Sequence, residues 1–162
     1  MYKPTSSKEL RLIVNDGDIP LDDVDVSDIT DFSFLFSHVK KINGCIENWD
    51  MRNAVTIENA FIMSEFECNL SKWNVPNLRN IRFAFYKSKI EFDITYWKIK
   101  RLECADWAFA YSNIYGSVDH WNIDYLLKTG NCGRKISDIF FESKIKFPDK
   151  WKIKSLLYNK LL

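Results

Sequence analysis

The side chains able to do chemistry in this sequence are few and widely spaced. Two histidines occur, His38 and His120, and neither has a cysteine or serine at the spacing of a nucleophilic motif. A Ser/His or Cys/His centre needs nucleophile and base within hydrogen-bond reach, with a third group orienting the base. The cysteines, Cys45, Cys68, Cys104 and Cys132, are spread along the chain, with no CxxC pair and no histidine placed to complete a zinc site. They read as reduced, structural thiols. Asp22, Asp23, Asp25, Asp28 and Asp31 form a dense acidic cluster. Two carboxylates could make a hydrolase, but that chemistry needs one of them buried and raised in pKa, so a solvated rim or a set of caps is the simpler reading. The cluster lacks the glycine and terminal glutamate of an EF-hand loop, and no P-loop or GxGxxG run is present. The expectation is of a non-enzyme, with no catalytic residue, no metal and no cofactor.

Composition points the same way. The 162 residues suit one domain with a real core. Lys+Arg number 23 and Asp+Glu 22, so no overall field draws the chain to nucleic acid or an anionic membrane. Aromatic residues make up 15% and glycines number only 5, the composition of a packed protein. Met1-Tyr2-Lys3-Pro4-Thr5 is not a basic stretch leading into an apolar run, and no apolar run approaches a membrane span. A cytoplasmic location is expected, or a surface one if a leader has been removed.

What must position any site is a repeat. Trp49, Trp73, Trp97 and Trp121 lie 24 residues apart, and Trp151 follows after 30. A second ladder, Phe36, Phe61, Phe85, Phe109 and Phe140, interlocks with the first, because Phe61, Phe85 and Phe109 each lie 12 residues from the tryptophans on both sides. Val24 takes the tryptophan's place in the first copy. From Trp121 to Phe140 is 19 residues, which places a seven-residue insertion at Lys128–Arg134, an exposed loop by its two glycines. Apolar residues recur two and five places after each Trp (Met51, Val75, Ile99, Ile123; Ala54, Leu78, Leu102, Leu126), and serine recurs three after the Phe (Ser64, Ser88, Ser112, Ser143).

The Trp-x-apolar step has the period of a strand, which turns the tryptophans inward. The run into Phe followed by a small residue suits a short helical turn. The fold class predicted is an α/β repeat solenoid: about five 24-residue strand/short-helix repeats at 24–48, 49–72, 73–96, 97–120 and 121–150, with a truncated sixth at 151–162, all in one domain. Ser6-Ser7-Lys8-Glu9 is a capping box. It opens a cap helix over 6–15 whose stripe is Leu10, Ile13 and Val14, with Asn15-Asp16-Gly17 as its stop. Leu156, Leu157, Leu161 and Leu162 close the other end poorly, which leaves a route to self-association there.

The segment Ser27-Asp28-Ile29-Thr30-Asp31-Phe32-Ser33-Phe34-Leu35-Phe36, with Trp49-Asp50-Met51 and Trp73-Asn74-Val75, resembles the W-D-V-S-x-V-T-D-M-S-x-M-F repeat of the BspA-like leucine-rich-repeat family of bacterial and mycoplasma surface proteins. Lys3–Leu10 resembles the leader that often precedes those repeats. The resemblance covers roughly residues 3–154 and implies a leucine-rich-repeat-like stack and, for many relatives, surface adhesion or carbohydrate binding. From the third repeat on, the T-D-M-S core has drifted to Arg79-Asn80-Ile81-Arg82 and Glu103-Cys104-Ala105-Asp106.

A repeat stack usually meets its partner on a regular exposed strip. Here that strip is the residues one and three after each Trp: Asp50 and Arg52, Asn74 and Pro76, Lys98 and Lys100, Asn122 and Asp124, Lys152 and Lys154. The leading expectation is protein–protein interaction, with Lys98, Lys100 and Arg101 as contacts and Lys152 and Lys154 next. Residues 1–48 carry a net −4 and residues 134–162 a net +5. That polarity makes nucleic-acid contact through Lys144, Lys146, Lys150, Lys152 and Lys154 an alternative.

Overall fold

An indole is large and apolar, yet it carries an N–H that must find an acceptor once buried. The computed structural model, which describes residues 1–129 and 136–151, meets both demands in the same way at Trp49, Trp73 and Trp97. Trp49, Trp73, Trp97, Trp121 and Trp151 are all buried. Trp49 Nε1 donates to the Leu21 carbonyl, Trp73 Nε1 to Ile46 and Trp97 Nε1 to Leu70, each at 2.9 Å. Each acceptor lies in the preceding coil of chain, so every indole ties its coil to the one before. The phenyl rings form the other column. Phe61 and Phe85 lie 4.8 Å apart with planes 1° from parallel, and Phe36–Phe61, Phe85–Phe109 and Phe109–Phe140 stack at 5.3, 5.6 and 5.9 Å. Between the two columns lie Met51, Val75, Ile99 and Ile123, and Ala54, Leu78, Leu102 and Leu126, all buried. The predicted ladder is the core, and coils of 24 residues stack in register upon it.

The backbone departs from the predicted α/β class of strand/short-helix repeats. Phe140 closes a short 3-10 helix, Ile136–Phe140, but around the ladder phenylalanines before it alternate N–H groups leave their own coil. Phe32, Phe34, Phe36 and His38 donate to Thr56, Glu58, Ala60 and Ile62, and the next coil repeats this from Ile57, Asn59, Phe61 and Met63 to Asn80, Arg82, Ala84 and Tyr86, at 2.8–3.0 Å. The intervening N–H groups fold back three residues, as Leu35 does to Phe32. A helix would keep every N–H for its own i−4 carbonyl, so the expected short helix is absent here. The alternation requires left-handed residues two before and two after the phenylalanine. Phe34, His38, Asn59, Met63, Phe83, Lys87, Trp107 and Tyr111 all have φ of 50–62°. Each such residue costs roughly 1–2 kcal/mol, offset by satisfying peptide groups that point along the stack.

The expected strand at Trp-x-apolar is likewise missing. The in–out alternation holds, with Trp97 and Ile99 buried and Lys98 exposed, but the Trp97 N–H turns back to Ile94 and forms no ladder. Val24, in the tryptophan's place of the first copy, makes a parallel bridge to Tyr2, but in the later coils the bridges fall in another column, at Asp31, Thr56, Asn80 and Cys104. The side chains at this column also cap the turn that follows. Asp31 Oδ1, Thr56 Oγ1 and Asn80 Oδ1 accept from the N–H two residues on, at 2.8–3.1 Å. The drift of the T-D-M-S core thus preserves the cap through Asn80. At Cys104 the thiol takes the same place, accepting from the Asp106 N–H and making a weak 3.8 Å contact from Sγ to the Asp106 carboxylate. The recurrent serines line a buried column of their own, where Ser64 Oγ donates to the Phe61 carbonyl at 2.8 Å and meets Ser88 Oγ at 3.2 Å.

The amino-terminal cap helix forms as predicted, shifted by one residue. α1 spans Ser7–Asp16, with Ser6 accepting from the Glu9 N–H and Gly17 closing it at φ 69°. Leu10 and Ile13 are buried and Val14 packs against the core. Glu9 reaches past the expected backbone partner to the Thr5 N–H and hydroxyl, both at 2.7 Å, and accepts from the Tyr2 hydroxyl. At the far end β1 (Tyr115–Ser117) pairs in parallel with β2 (Lys144–Lys146), and α2 (Asp124–Thr129) precedes the predicted insertion. The glycines of that insertion, Cys132, and everything after Trp151, including Lys152, Lys154 and the closing leucines, lie outside the described residues.

Two outcomes follow from this packing. Trp97→Ala should cost about 3–5 kcal/mol. Trp97→Phe keeps most of the burial but leaves the Leu70 carbonyl without its donor, for about 1–3 kcal/mol. Urea unfolding reads both, and a Trp97→Phe midpoint equal to wild type would show that the indole bond contributes nothing. The Tyr2 hydroxyl and Thr5 hold the Glu9 carboxyl below its ordinary 4.5. A lowered folded-state pKa means stability present above about 4.5 and lost as pH falls through the folded value. Hydrogen-exchange protection of α1, corrected for intrinsic rates, should therefore drop on acidification, and Glu9→Gln should remove the part of that drop that Glu9 causes.

Candidate functional site

Several of the groups singled out for reactivity are occupied in holding the stack, while His38 and Asp23 are exposed. Burial pushes the Cys68 thiol up to about 12, with Cys45 and Glu47 adding to it, and burial beside Asp106 pushes Cys104 up to about 11. Such thiols are weak nucleophiles. His120 Nε2 lies 2.9 Å from the Trp97 carbonyl, so that nitrogen carries the proton and donates it. Trp121 Nε1 donates to the same carbonyl at 2.7 Å, an indole bond displaced from the register of the three before it. In the acidic cluster, Asp22 accepts from the Cys45 N–H at 2.7 Å and Asp25 from the Ser27 N–H at 2.9 Å, while Lys3 pairs with Asp25 and Asp28 at 3.4 and 2.9 Å. Ser27 holds the Asp25 carboxyl below its usual range, with Lys3 helping, the opposite of what a general acid needs. Among the described residues no group of three or more His, Cys, Asp or Glu side chains could hold a metal ion, and no helix is long and apolar enough to cross a membrane.

The strip following the tryptophans faces outward, as the period-two reading requires. Lys98 and Lys100 line one open groove of about 620 Å³ with Thr95, Tyr96, Ile99, His120 and Asn122. Neither lysine has an ion-pair partner among the described residues. Several exposed cations elsewhere are paired, Arg52 with Asp50 at 2.6 Å, Lys89 with Glu65 at 3.2 Å, and Arg79 and Arg82 with Glu103 and Asp106 at 3.7 and 3.6 Å, whereas Lys8, Lys40, Lys72 and Lys87 are, like Lys98 and Lys100, exposed without one. Arg101, expected beside the two lysines, does not line the groove. Its Nε is 2.6 Å from Glu103 and its guanidinium sits 4.1 Å above the Tyr125 ring. Asn53 and Asn77, at the equivalent positions, donate to Ser27 and Arg52 carbonyls of the preceding coil at 2.8 Å.

A second surface was not anticipated. Along the outer edge beside the phenylalanine column, aromatic residues next to the buried ladder emerge into solvent, among them Phe34, Tyr111 and Phe141. The available signal was the aromatic residue recurring two before the ladder position, as Phe34, Phe83 and Trp107. Read as a helical turn, that spacing gave no outward direction; the left-handed backbone there is what turns these side chains out.

Residues 9–126, from within α1 into α2, match the family model described as "Mycoplasma protein of unknown function, DUF285". No curated protein and no solved structure matches the chain.

The raised thiols give a direct check. At pH 8, Cys68 and Cys104 in the folded chain should label with a disulfide reagent at least roughly a hundredfold more slowly than an unperturbed thiol. Peptide mapping assigns the sites, and denaturant should release both. Rapid labelling of Cys68 in the native chain would contradict its burial.

Proposed function

The chain belongs to the DUF285 family, and on that premise we propose that it is a non-catalytic scaffold that binds an acidic segment of a protein partner in the groove around Lys98 and Lys100. The architecture we assign is a leucine-rich-repeat-like solenoid of the BspA-like type. Support comes from the Thr30-Asp31-Phe32-Ser33 segment, whose aspartate caps its turn, and from coils bonded at a 24-residue interval. Against catalysis stand the raised thiols, the backbone-bound His120 and carboxylates committed to capping and pairing.

The observation that carries the reading is the pair of exposed lysines that line one groove, neither of them in an ion pair among the described residues. An unpaired charge keeps its full capacity to attract an opposite charge, steering encounter and fixing register. A second reading, carbohydrate adhesion, is favoured by Tyr96, whose ring is 68% exposed at the same groove.

Charge reversal separates the two. Lys98→Glu with Lys100→Glu should weaken the crosslinked protein partner at least tenfold and remove its salt sensitivity, a change of the size seen for close interfacial charges. Partner recovery unchanged by the double reversal would mean the groove is not the site. Glycan-array binding lost with Tyr96→Ala but not with the charge reversal would favour the second reading.

A further inference from the structure

The edge beside the phenylalanine column exposes Phe34, Met63, Tyr111 and Phe141 by 57, 37, 45 and 43%, with Tyr86 and Trp107 half-buried among them. The rings meet edge to face. Tyr86 lies 5.9 Å from Tyr111 at 90° and 6.4 Å from Trp107 at 84°, and Tyr111 lies 5.4 Å from Phe141 at 73°. At roughly 200 Å² per aromatic side chain, Tyr111 and Phe141 with the half-buried Tyr86 and Trp107 expose on the order of 250 Å² of joined ring surface, with Phe34 and Met63 exposed on the same edge in earlier coils. A contiguous apolar patch of a few hundred Å² marks an interaction site.

The charges on this edge are ordered. Lys87, Tyr111 and Glu142 each lie two residues after a ladder phenylalanine and occupy successive rungs, joined by Lys87 N–H to the Ala110 carbonyl at 3.0 Å and Tyr111 N–H to Phe141 at 2.8 Å. Lys87 Nζ is held over the Tyr86 and Tyr111 rings at 5.2 and 5.7 Å. Glu142 is exposed, and among the described residues neither charge has an ion-pair partner. A cation, an aromatic ring and an anion thus follow one another along the stack.

We infer that this edge docks a second copy of the chain, about a two-fold axis that passes through the Tyr111 rung at right angles to the stacking direction. That operation lays the column on itself reversed. Lys87 of each copy meets Glu142 of the other, Tyr86 meets Phe141, and Tyr111 meets its own counterpart, the self-complementarity of an isologous contact. Ala110, between Tyr86 and Phe141 in the neighbouring column, leaves room for close approach. An anionic membrane fits less well, because Glu142 sits where a cation would be needed. A flat sugar platform fits less well too, because the rings pack edge to face and Lys87 overlies two of them. The patch is smaller than the ~800 Å² per partner of a standard interface, so the dimer is weak and concentration-dependent. It is independent of the Lys98 and Lys100 groove, which lies beside the tryptophan column.

Sedimentation equilibrium on the full chain tests this. The mass should rise from 19.2 kDa toward twice that value with concentration, and Tyr111→Asp should hold it at the monomer. Lys87→Glu and Glu142→Lys should each weaken association roughly tenfold. Mixing those two variants should restore it, because both cross-pairs are then opposite in sign, and no residue changes on mixing that could alter folding. The inference is overturned if the wild-type chain stays monomeric to its solubility limit. It is overturned equally if a dimer forms that neither reversal perturbs, or if both reversals weaken it, each variant melts like wild type, and the mixture does not recover.

Discussion

The indole N–H of a buried tryptophan has few ways to be satisfied, and for Trp49, Trp73, Trp97 and Trp121 the acceptor is a carbonyl one coil back. That bond ties each coil to the one before, and the coils accommodate extra residues away from it: Phe36 and Phe61 are 25 residues apart and Phe109 and Phe140 are 31 apart, yet both pairs stack. The phenyl column ties the coils again half a repeat later. Phe61 and Phe85 are parallel to within 1°. With two columns in step, a change of register in one would break the other.

The same constraint explains why so little of the chain is regular secondary structure. A coil that must satisfy its neighbours along the stack cannot also spend every peptide group on itself. Its N–H groups alternate between the next coil and a local turn, and the left-handed residues at Phe34, Phe83, Trp107 and their counterparts are the steric consequence. Where the constraint is relaxed, regular structure returns: α1 needs to cover the stack on one side only, and α2 comes just before the insertion that lengthens its coil. Ser112 shows the limit of the periodicity. It occupies the buried serine column, yet its hydroxyl lacks the partner that Ser64 and Ser143 find in a carbonyl three residues back.

Function on such a frame lies in what the coils present outward, since the ladder residues are consumed by packing. Two edges differ in kind. Beside the tryptophans the lysines of one coil stand in an open groove, while Arg52 and Arg79 are neutralised by carboxylates. Beside the phenylalanines the surface is aromatic and its charges are sorted by rung. One suits recognition of an acidic partner and the other recognition of itself.

The sequence alone determined the interior: the 24-residue interval, the identity of both ring columns, the buried serines, the cap at Ser6 and the outward position of Lys98 and Lys100. Burial and periodicity are properties of spacing, and spacing is visible in one dimension. Tertiary structure decided how the backbone runs between those fixed points. Phe83-Ala84-Phe85 has the composition of a helical turn, and only the acceptors offered by the next coil make it a left-handed one that turns the aromatic edge into solvent. Arg101 shows the same limit from the other side. Its place in the sequence is beside Lys100, but a carboxylate at Glu103 and a ring at Tyr125 draw it away, and side-chain partners from another coil are what a single sequence leaves open.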